Sequence, residues 1–408
     1  MRHIVVVGGG FAGLWSAAGA ARKLAEAGVA PGTVHITLVE RNDYHSIRVR
    51  NYEADLAPTI VPLDEVLKPI GVDRVEGELT GIDLDRQRVQ VAMPGGGREL
   101  SYDRLVFALG SQLHRPDIPG LAEHTFDVDT YRGAMRLARH LERLRDWPDL
   151  PGRSTVLVVG AGLTGIETAC EMRERLPPPQ TRVPDPRRVI LADAGAAIGS
   201  DMGEDARGVI VEALSALGVE TRPGIAIAAI DAQGATLANG ERIAAATIVW
   251  CAGMRAHPLT AQLGVARDRF GRVPVDEFMR VEGVPHVFAA GDAAWWLTDG
   301  VHACVMSCQH ARPMGRHAGH NAVAELLGLP MLPLAIDWYV TVLDLGPWGA
   351  VYTVGWDRQV IATRADAKRT KQTINRQRIY PPPSGKRADL LDAAAPLVQV
   401  PPEVLARR

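Results

Sequence analysis

Cysteine is scarce in this chain of 408 residues, which contains only Cys170, Cys251, Cys304 and Cys308. Four scattered cysteines are too few for a disulfide framework, and this usage is typical of a reducing compartment. We therefore expect a cytoplasmic protein. No cluster of histidines and cysteines has the spacing of zinc ligands, so the sequence predicts no metal site.

Long hydrophobic runs and a strong net charge are also absent. No stretch reaches about 18 consecutive apolar residues, so we expect no transmembrane helix. The first predicted strand begins by about His3, which leaves no room for a secretory signal peptide. The net charge is -2, and so balanced a chain gives no electrostatic argument for nucleic acid as a partner.

Two glycine-rich turns are the main positive signal. Residues 4–13 read IVVVGGGFAG and residues 156–169 read VLVVGAGLTGIETA. In each case an apolar run leads into Gly-x-Gly-x-x-Gly, a helical pattern follows, and the next predicted strand ends on an acidic residue, Glu40 or Asp193. This full context is typical of a dinucleotide-binding βαβ unit, whereas an isolated Gly-x-Gly-x-x-Gly is a weak signal.

The three glycines of each turn have separate roles. The first allows the tight turn, the second lets a pyrophosphate approach the backbone, and the third lets helix and strand pack closely. They are Gly8, Gly10 and Gly13 in the first turn and Gly160, Gly162 and Gly165 in the second. Glu40 and Asp193 are then expected to accept hydrogen bonds from ribose hydroxyls. Two turns imply two dinucleotides, one flavin and one nicotinamide, with two ordinary glycine turns as the alternative.

Together with two further motifs, these turns resemble the pyridine nucleotide oxidoreductases, flavoproteins with two dinucleotide-binding domains. The motifs are GGGFAG, FALGS, GAGLTGIETACE and VFAAGDAA, in that order. The resemblance implies an α/β fold of two Rossmann-like domains in a glutathione-reductase-like architecture. It implies that FAD binds a discontinuous domain of residues 1–115 and 265–330 and that NADH binds residues 116–264. Residues 331–408 form a small C-terminal region, expected to serve as an interface or oligomer contact.

The same resemblance implies which residues contact the cofactors. Asp292 of the Gly-Asp pair is expected at the ribityl and phosphate region of FAD. NADH is favoured over NADPH because Asp193 would repel a 2′-phosphate and residues 194–196 offer no arginine. The expected cofactor-binding residues are Gly8, Gly10, Phe11, Ala12, Gly13, Glu40, Arg41, His45, Ala108, Gly110, Gly160, Gly162, Gly165, Asp193, Gly253, Gly291 and Asp292.

Within these flavoproteins the chain is most similar to type II NADH dehydrogenases, the single-subunit NADH:quinone oxidoreductases. The stretches ERNDYHSIRVRN, TGIETACE and SCQHARPMG resemble that branch. They imply a site with Glu167 near the nicotinamide and Gln309 on the acceptor side. His302 and His310 are candidates for proton transfer because histidine titrates near neutral pH, with a structural role for both as the favoured alternative.

Several departures from the branch leave the electron acceptor open. The second glutamine of the acceptor-side helix is absent, and Arg312-Pro313 occupies its region. The C-terminal amphipathic helices of the branch are not evident, since Pro396 and Pro401 interrupt the chain there. Residues 41–60 contain no cysteine, so a disulfide substrate is not expected. A quinone, a biosynthetic metabolite and a ferredoxin-like protein remain as acceptors, with a non-enzymatic NADH-binding protein as a further alternative.

The last third of the chain contains a basic tract, defined as residues 358–387, in which nine Lys or Arg accompany one Asp. The tract has two interpretations, namely weak peripheral contact with the inner face of the membrane and a solvated face or homodimer contact. Ile374, Ile379 and Tyr380 are available for packing, which favours the second. Cys304 and Cys308 are expected to share one face of a helix over residues 304–328, as buried thiols or, alternatively, as a redox pair.

Overall fold

The computed structural model describes residues 2–147, 150–177 and 187–404. Within these ranges the helices are Phe11–Glu26 (α1), Leu63–Leu67 (α2), Leu121–His124 (α3), Tyr131–Arg143 (α4), Leu163–Arg175 (α5), Gly203–Ala216 (α6), Cys308–Leu327 (α7), Arg364–Thr373 (α8) and Arg387–Ala393 (α9). The strands are Arg2–Val7 (β1), Val34–Glu40 (β2), Tyr44–Ser46 (β3), Ile60–Pro62 (β4), Asp73–Glu76 (β5), Glu78–Asp83 (β6), Arg88–Met93 (β7), Gly96–Ser101 (β8), Arg104–Phe107 (β9), Ser111–Leu113 (β10), Thr155–Val159 (β11), Arg188–Ala192 (β12), Val219–Arg222 (β13), Ile227–Asp231 (β14), Gly234–Leu237 (β15), Arg242–Ala244 (β16), Thr247–Trp250 (β17), Met254–Ala256 (β18), Val273–Pro274 (β19), Val287–Ala289 (β20), Ala294–Trp295 (β21), Val340–Asp344 (β22), Ala350–Val354 (β23) and Gln359–Thr363 (β24).

A parallel sheet of five strands, in the order β20-β9-β1-β2-β5, forms the core of the first unit. Its central strand β1 is an apolar run because both faces of the sheet are covered, and the residues from Ile4 to Val7 are fully buried. The strand β20 comes from residues 287–289 and pairs with β9. The chain therefore leaves the first unit after β9 and returns to it through β20.

A second parallel sheet, in the order β13-β12-β11-β17, forms the core of the other unit. Its central strand β11 is buried along all five residues. Each sheet begins with a strand, a glycine turn and a helix, so the prediction of an α/β fold with two Rossmann-like units is confirmed. The proline-rich insertion predicted between α5 and β12 lies largely at residues 178–186, outside the described residues.

Helices α1 and α7 pack with their backbones in direct contact because glycines line both helices. A Cβ atom on Gly19 would lie 2.6 Å from the carbonyl oxygen of Arg316. One on Gly319 would lie 1.9 Å from the carbonyl oxygen of Ser16. No L side chain fits at either position, so this contact explains the glycines in sequence stretches that otherwise favour helix.

The start of α7 differs from the prediction. The helix begins at Cys308, and Cys304 precedes it in a segment paired with residues 294–296. The backbone N–H of Cys304 donates to the carbonyl oxygen of Trp296 at 3.0 Å. The thiol of Cys304 lies 3.5 Å from the carbonyl oxygen of Ala294. The expectation that Cys304 and Cys308 share a helix face is therefore wrong, because extended pairing uses the backbone of Cys304.

The C-terminal region is more regular than its sequence suggests. Strands β22, β23 and β24 form an antiparallel sheet, and α8 continues into a π-helix over Ile374–Arg378. Leu343 and Val351 of this sheet belong to the core of the second unit, whereas Leu390 of α9 belongs to the core of the first. The region therefore joins the two units. None of the helices in the described ranges is long and apolar enough to cross a lipid bilayer.

Replacing Gly319 with alanine should push α1 and α7 apart and destabilise the protein by at least about 2 kcal/mol, as overpacked cores do. Gly208 provides the matched control, since it is exposed in α6 and its Cβ would meet nothing within 4 Å. The G208A variant should gain about 0.5–1 kcal/mol from helix propensity. Urea unfolding followed by circular dichroism measures both variants. Equal midpoints for G319A and the unmodified protein would contradict the close packing.

Candidate active site

The two glycine turns have the same backbone geometry. Gly8 and Gly160 both adopt a φ of +103°, which favours glycine. A Cβ on Gly13 would lie 1.7 Å from the carbonyl oxygen of Gly8, and a Cβ on Gly165 would lie 1.7 Å from that of Gly160. Two segments about 150 residues apart thus repeat one local structure. The first and third glycines have the roles that their spacing predicts.

The middle glycine of each turn faces open space. A Cβ on Gly10 or Gly162 would meet nothing within 4 Å. Each residue is the N-cap of the following helix, and no side chain caps either helix end. Free backbone N–H groups and the positive end of the helix dipole therefore face this space, as the pyrophosphate of a dinucleotide requires. The two turns fit FAD and NADH on this observation.

The acidic residues at the strand ends hold the turns in place. An oxygen of Glu40 accepts a hydrogen bond from the N–H of Gly9 at 2.7 Å, and an oxygen of Asp193 accepts one from Ala161 at 2.5 Å. The other oxygen of Glu40 accepts from the N–H of Asn42 at 3.1 Å, and the other oxygen of Asp193 accepts from the N–H of Gly195 at 2.6 Å. Both carboxylates therefore lie against the glycine turns, and their contact with ribose hydroxyls stays a prediction.

The side chain of His45 packs against the first glycine turn. Its Nδ1 lies 2.9 Å from the carbonyl oxygen of Gly9, and its ring meets the ring of Phe11 edge to face at 4.9 Å. The side chain is completely buried, and this burial lowers its pKa to about 4. The neutral ring donates from Nδ1 and presents Nε2 as an acceptor, which has no partner in the described part of the chain. A buried orphan acceptor of this kind fits a bound ligand.

Other expected cofactor residues surround the turns at the ends of strands. The carbonyl oxygen of Ala108 would lie 2.4 Å from a Cβ on Gly8, so the strand end and the turn are in contact. A Cβ on Gly291 would lie 2.8 Å from that of Ala12. Gly110 and Gly253 both have positive φ at the corresponding strand ends, after β9 and β17.

Arg41 lies away from these contacts. Its side chain is 58% exposed and pairs at 3.3 Å with Glu78, which is equally exposed. Such a surface pair contributes little to stability, so Arg41 is free to move towards a ligand. Its expected contact with the cofactor stays a prediction.

Arg48 is a site residue that sequence reasoning missed. Its guanidinium group contacts Asp129 of the second unit, lies 3.6 Å from Asp292 and donates to the hydroxyl of Ser111 at 3.0 Å. The Ser111 hydroxyl in turn donates to Asp292 at 2.5 Å. Arg48 therefore fixes the Gly-Asp loop against both units. Its only sequence signal is its position three residues after His45, in the segment that follows the ribose glutamate.

Glu167 lies in a buried ion pair with the basic tract. Its Oε1 accepts hydrogen bonds from Lys371 Nζ at 2.7 Å and from the backbone N–H of Asp344 at 3.1 Å. Burial raises the pKa of Glu167, and the Lys371 ammonium acts in the opposite direction. Lys371 belongs to α8, so at least this cation of the basic tract is buried inside the protein.

A second ion pair extends this cluster. Lys368 contacts Asp344 and lies 4.0 Å from Glu171, and the hydroxyl of Tyr52 donates to Asp344 at 3.2 Å. Three carboxylates thus face two ammonium groups. Burial, together with the charge of Asp344, raises the pKa of Glu171 to about 7. A carboxyl group with this pKa changes its protonation state near neutral pH.

The acceptor-side candidates lie at the first turn of α7. The Nδ1 of His310 accepts from the N–H of Val305 at 2.9 Å, so the neutral ring keeps its hydrogen on Nε2. Complete burial lowers the pKa of His310 to about 4, which favours a structural role over proton transfer. His302 is exposed, pairs with Asp299 at 2.7 Å and stacks on Trp356, which also favours a structural role.

A cavity opens between the start of α7 and the C-terminal region. Its volume is about 70 Å³, and it is lined largely by apolar side chains, among them Pro313, Trp338, Val340 and Ile379. Gln309 also lines it, and the amide Nε2 of Gln309 is buried without a partner among residues 2–147, 150–177 and 187–404. Apolar walls with a few polar groups are typical of small-molecule sites.

Replacing Glu171 with glutamine should change how stability depends on pH. Because the folded state raises this pKa, the protonated carboxyl stabilises the fold below pH 4.5 and this contribution is lost as the pH rises through about 7. E171Q should remove this fall, a difference of at most about 3 kcal/mol at pH 8. Urea unfolding from pH 5 to 8 measures it, with exposed Glu204→Gln as the control. Parallel pH profiles for E171Q and the unmodified protein would refute the buried proton.

Comparison with known proteins agrees with this geometry. Residues 2–315 match the pyridine nucleotide-disulphide oxidoreductase family. The chain is 56% identical over 400 residues to an NADH dehydrogenase-like protein of Mycobacterium tuberculosis, covering 98% of this chain and 99% of that protein. It is 25% identical over 401 residues to a type II NADH:quinone oxidoreductase of Staphylococcus saprophyticus, covering 89% and 95% respectively.

Among solved structures, the sulfide:quinone oxidoreductase of Aquifex aeolicus has a TM-score of 0.75 and 16% sequence identity. The match covers 95% of this chain and 93% of that one, and shows a common fold. The resemblance seen in the sequence motifs is confirmed by the family match and by the mycobacterial relative. The chain therefore belongs to the pyridine nucleotide-disulphide oxidoreductases, in the branch similar to type II NADH dehydrogenases, and is a flavoprotein oxidoreductase with FAD and NADH as its cofactors.

Proposed function

We propose that this protein transfers electrons from NADH, by way of FAD, to a quinone. The observation that supports a quinone is the largely apolar cavity at the start of α7. Its lining residues Gln309 and Arg312 flank Ala311, whose Cβ would lie 3.5 Å from a Cβ on Gly291. The buried amide of Gln309 is a donor suited to a quinone oxygen. The relatives from Staphylococcus saprophyticus and Aquifex aeolicus are both named quinone oxidoreductases, which supports the same acceptor.

In this proposal the chain binds and orients two dinucleotides. Residues 1–115 and 265–330 bind FAD, residues 116–264 bind NADH, and residues 331–408 close the acceptor side. The contacts are those of the two glycine turns, with Glu40 and Asp193 at the ribose positions. When bound, FAD accepts a hydride from NADH and delivers two electrons to the acceptor. Asp193 favours NADH over NADPH because a 2′-phosphate beside it would be repelled.

Reduction of a quinone to a quinol also consumes two protons. With a pKa of about 7, Glu171 is partly protonated at neutral pH. Lys371 of the same cluster belongs to α8, which continues into Ile374 and Arg378 of the cavity wall. We infer that this cluster exchanges the protons and that Glu167 borders the nicotinamide. His310 keeps a neutral ring at pH 7, and its Nε2 is buried without a partner among the described residues. Because Lys371 is buried in the cluster, an internal role for α8 is favoured over membrane contact.

An anaerobic stopped-flow experiment tests this function. One equivalent of NADH should bleach the flavin absorbance, and a water-soluble quinone should restore it rapidly, because the proposed acceptor would reoxidise the reduced flavin. NADPH should reduce the flavin at least about tenfold more slowly, a difference of about 1.4 kcal/mol. Bleaching without recovery would refute the quinone while leaving the cofactors in place. Comparable rates with NADPH would refute the role of Asp193.

Two alanine substitutions separate the cofactor sites. G10A adds a methyl group where nothing lies within 4 Å, so the fold should persist while FAD content falls by at least about tenfold. G162A should keep its FAD and raise the KM for NADH by a similar factor. Flavin absorbance per mole of protein and steady-state kinetics measure these effects, and G208A is the control. Full FAD content in G10A would show that the first turn does not hold the pyrophosphate.

A further inference from the structure

Two buried arginines line the acceptor cavity without any counterion. Arg312 and Arg316 are 6% and 3% exposed, and both belong to the cavity wall. Among the residues that the structure describes, no carboxylate lies within ion-pair distance of either guanidinium group. A buried charge is ordinarily paired, because its desolvation is costly. Two such charges side by side are therefore unusual for a purely structural arrangement.

The surroundings of these arginines provide one aromatic ring and one further positive charge. The guanidinium carbons of Arg312 and Arg316 lie 5.4 and 4.4 Å from the ring centre of the same residue, Trp15. Burial, together with the charge of Arg312, lowers the pKa of Arg316 to about 9. Arg378 lines the same cavity and adds a third cation. The cavity thus combines apolar walls with concentrated positive charge.

The partners that these arginines have are neutral. Arg312 donates to the side-chain oxygen of Gln399 at 3.0 Å, and Arg316 donates to the carbonyl oxygen of Leu397 at 3.5 Å. The Nε atoms of both arginines are buried and have no partner within the described ranges. Neutral oxygens from the segment 397–399 therefore satisfy some N–H groups and leave the charges uncompensated. A carboxylate in the cavity would replace these oxygens and supply the missing charge.

We propose that the cavity binds a molecule with an apolar ring and an anionic substituent, and that the electron acceptor is an acidic quinone. The acidic group lies between Arg312 and Arg316, and the ring lies against Trp338 and Ile379 with its oxygen at Gln309. The assignment of this molecule as the electron acceptor rests on the proposed function. The anion site itself depends only on the arginines and the cavity. It explains why Arg312-Pro313 stands where the branch has its second glutamine.

Binding of a redox-inert pair of ligands to the FAD-loaded protein tests the anion site without any turnover. The probes are 1-hydroxy-2-naphthoate and 2-methyl-1-naphthol, which have the same ring but differ in the carboxylate. Titration calorimetry should give an affinity at least about tenfold higher for the acid. R312Q and R316Q should each remove most of this preference and leave binding of the neutral naphthol unchanged. R316K should retain part of it because the charge remains, although the forked geometry is lost.

The controls distinguish failure of the anion site from failure of the proposed function. Arg98→Gln, at an exposed position of β8, should have no effect on either probe. Equal affinities for the two naphthalenes, or an undiminished acid preference in the double variant R312Q/R316Q, would overturn the anion site. Tighter binding of decanoate than of the naphthoate would overturn the assignment of an aromatic ring to the ligand. If the naphthoate binds but does not compete with a water-soluble quinone in turnover, the acceptor assignment is overturned.

Discussion

Helices α1 and α7 touch backbone to backbone, and this contact fixes the spacing between the parts of the site. One end of α1 is the first glycine turn, and one end of α7 is the wall of the acceptor cavity. A separation of about one side-chain diameter between these helices would move the cavity away from the Gly291 turn. Because Gly19, Gly315 and Gly319 have no side chain, the two backbones can lie in contact without that separation. The cost is that three helical positions contribute no side chain to the core.

The charge cluster around Glu167 has a comparable role at the other side of the site. Its carboxylates come from α5 and β22, and its ammonium groups come from α8. Each buried ion would be strongly unfavourable without its partner, so the C-terminal region cannot leave the second unit without a large penalty. Burial and the charge of Asp344 raise the pKa of Glu171 to about 7. One set of interactions thus holds the C-terminal region in place and supplies a titrating group.

Local patterns of the sequence predicted the two βαβ units because each depends on residues close together in the chain. The turn glycines need positive φ or close approach, and the acids at Glu40 and Asp193 follow their own strands. The contacts of Arg48 with Asp292 and of Lys371 with Glu167 join residues more than 200 positions apart, so no local pattern reveals them. The late start of α7 at Cys308 is also not visible in a local pattern, because it depends on the pairing of Cys304 with residues 294–296.

The discontinuous first sheet has a consequence for biosynthesis. Strand β9 ends at Phe107, and its neighbour β20 leaves the ribosome about 180 residues later. During that interval one edge of β9 lacks its partner, and an unpaired buried edge is prone to association with other chains. The four strands of the second sheet all precede β20 in the sequence. The first sheet therefore gains its last strand only after every strand of the second sheet has been synthesised.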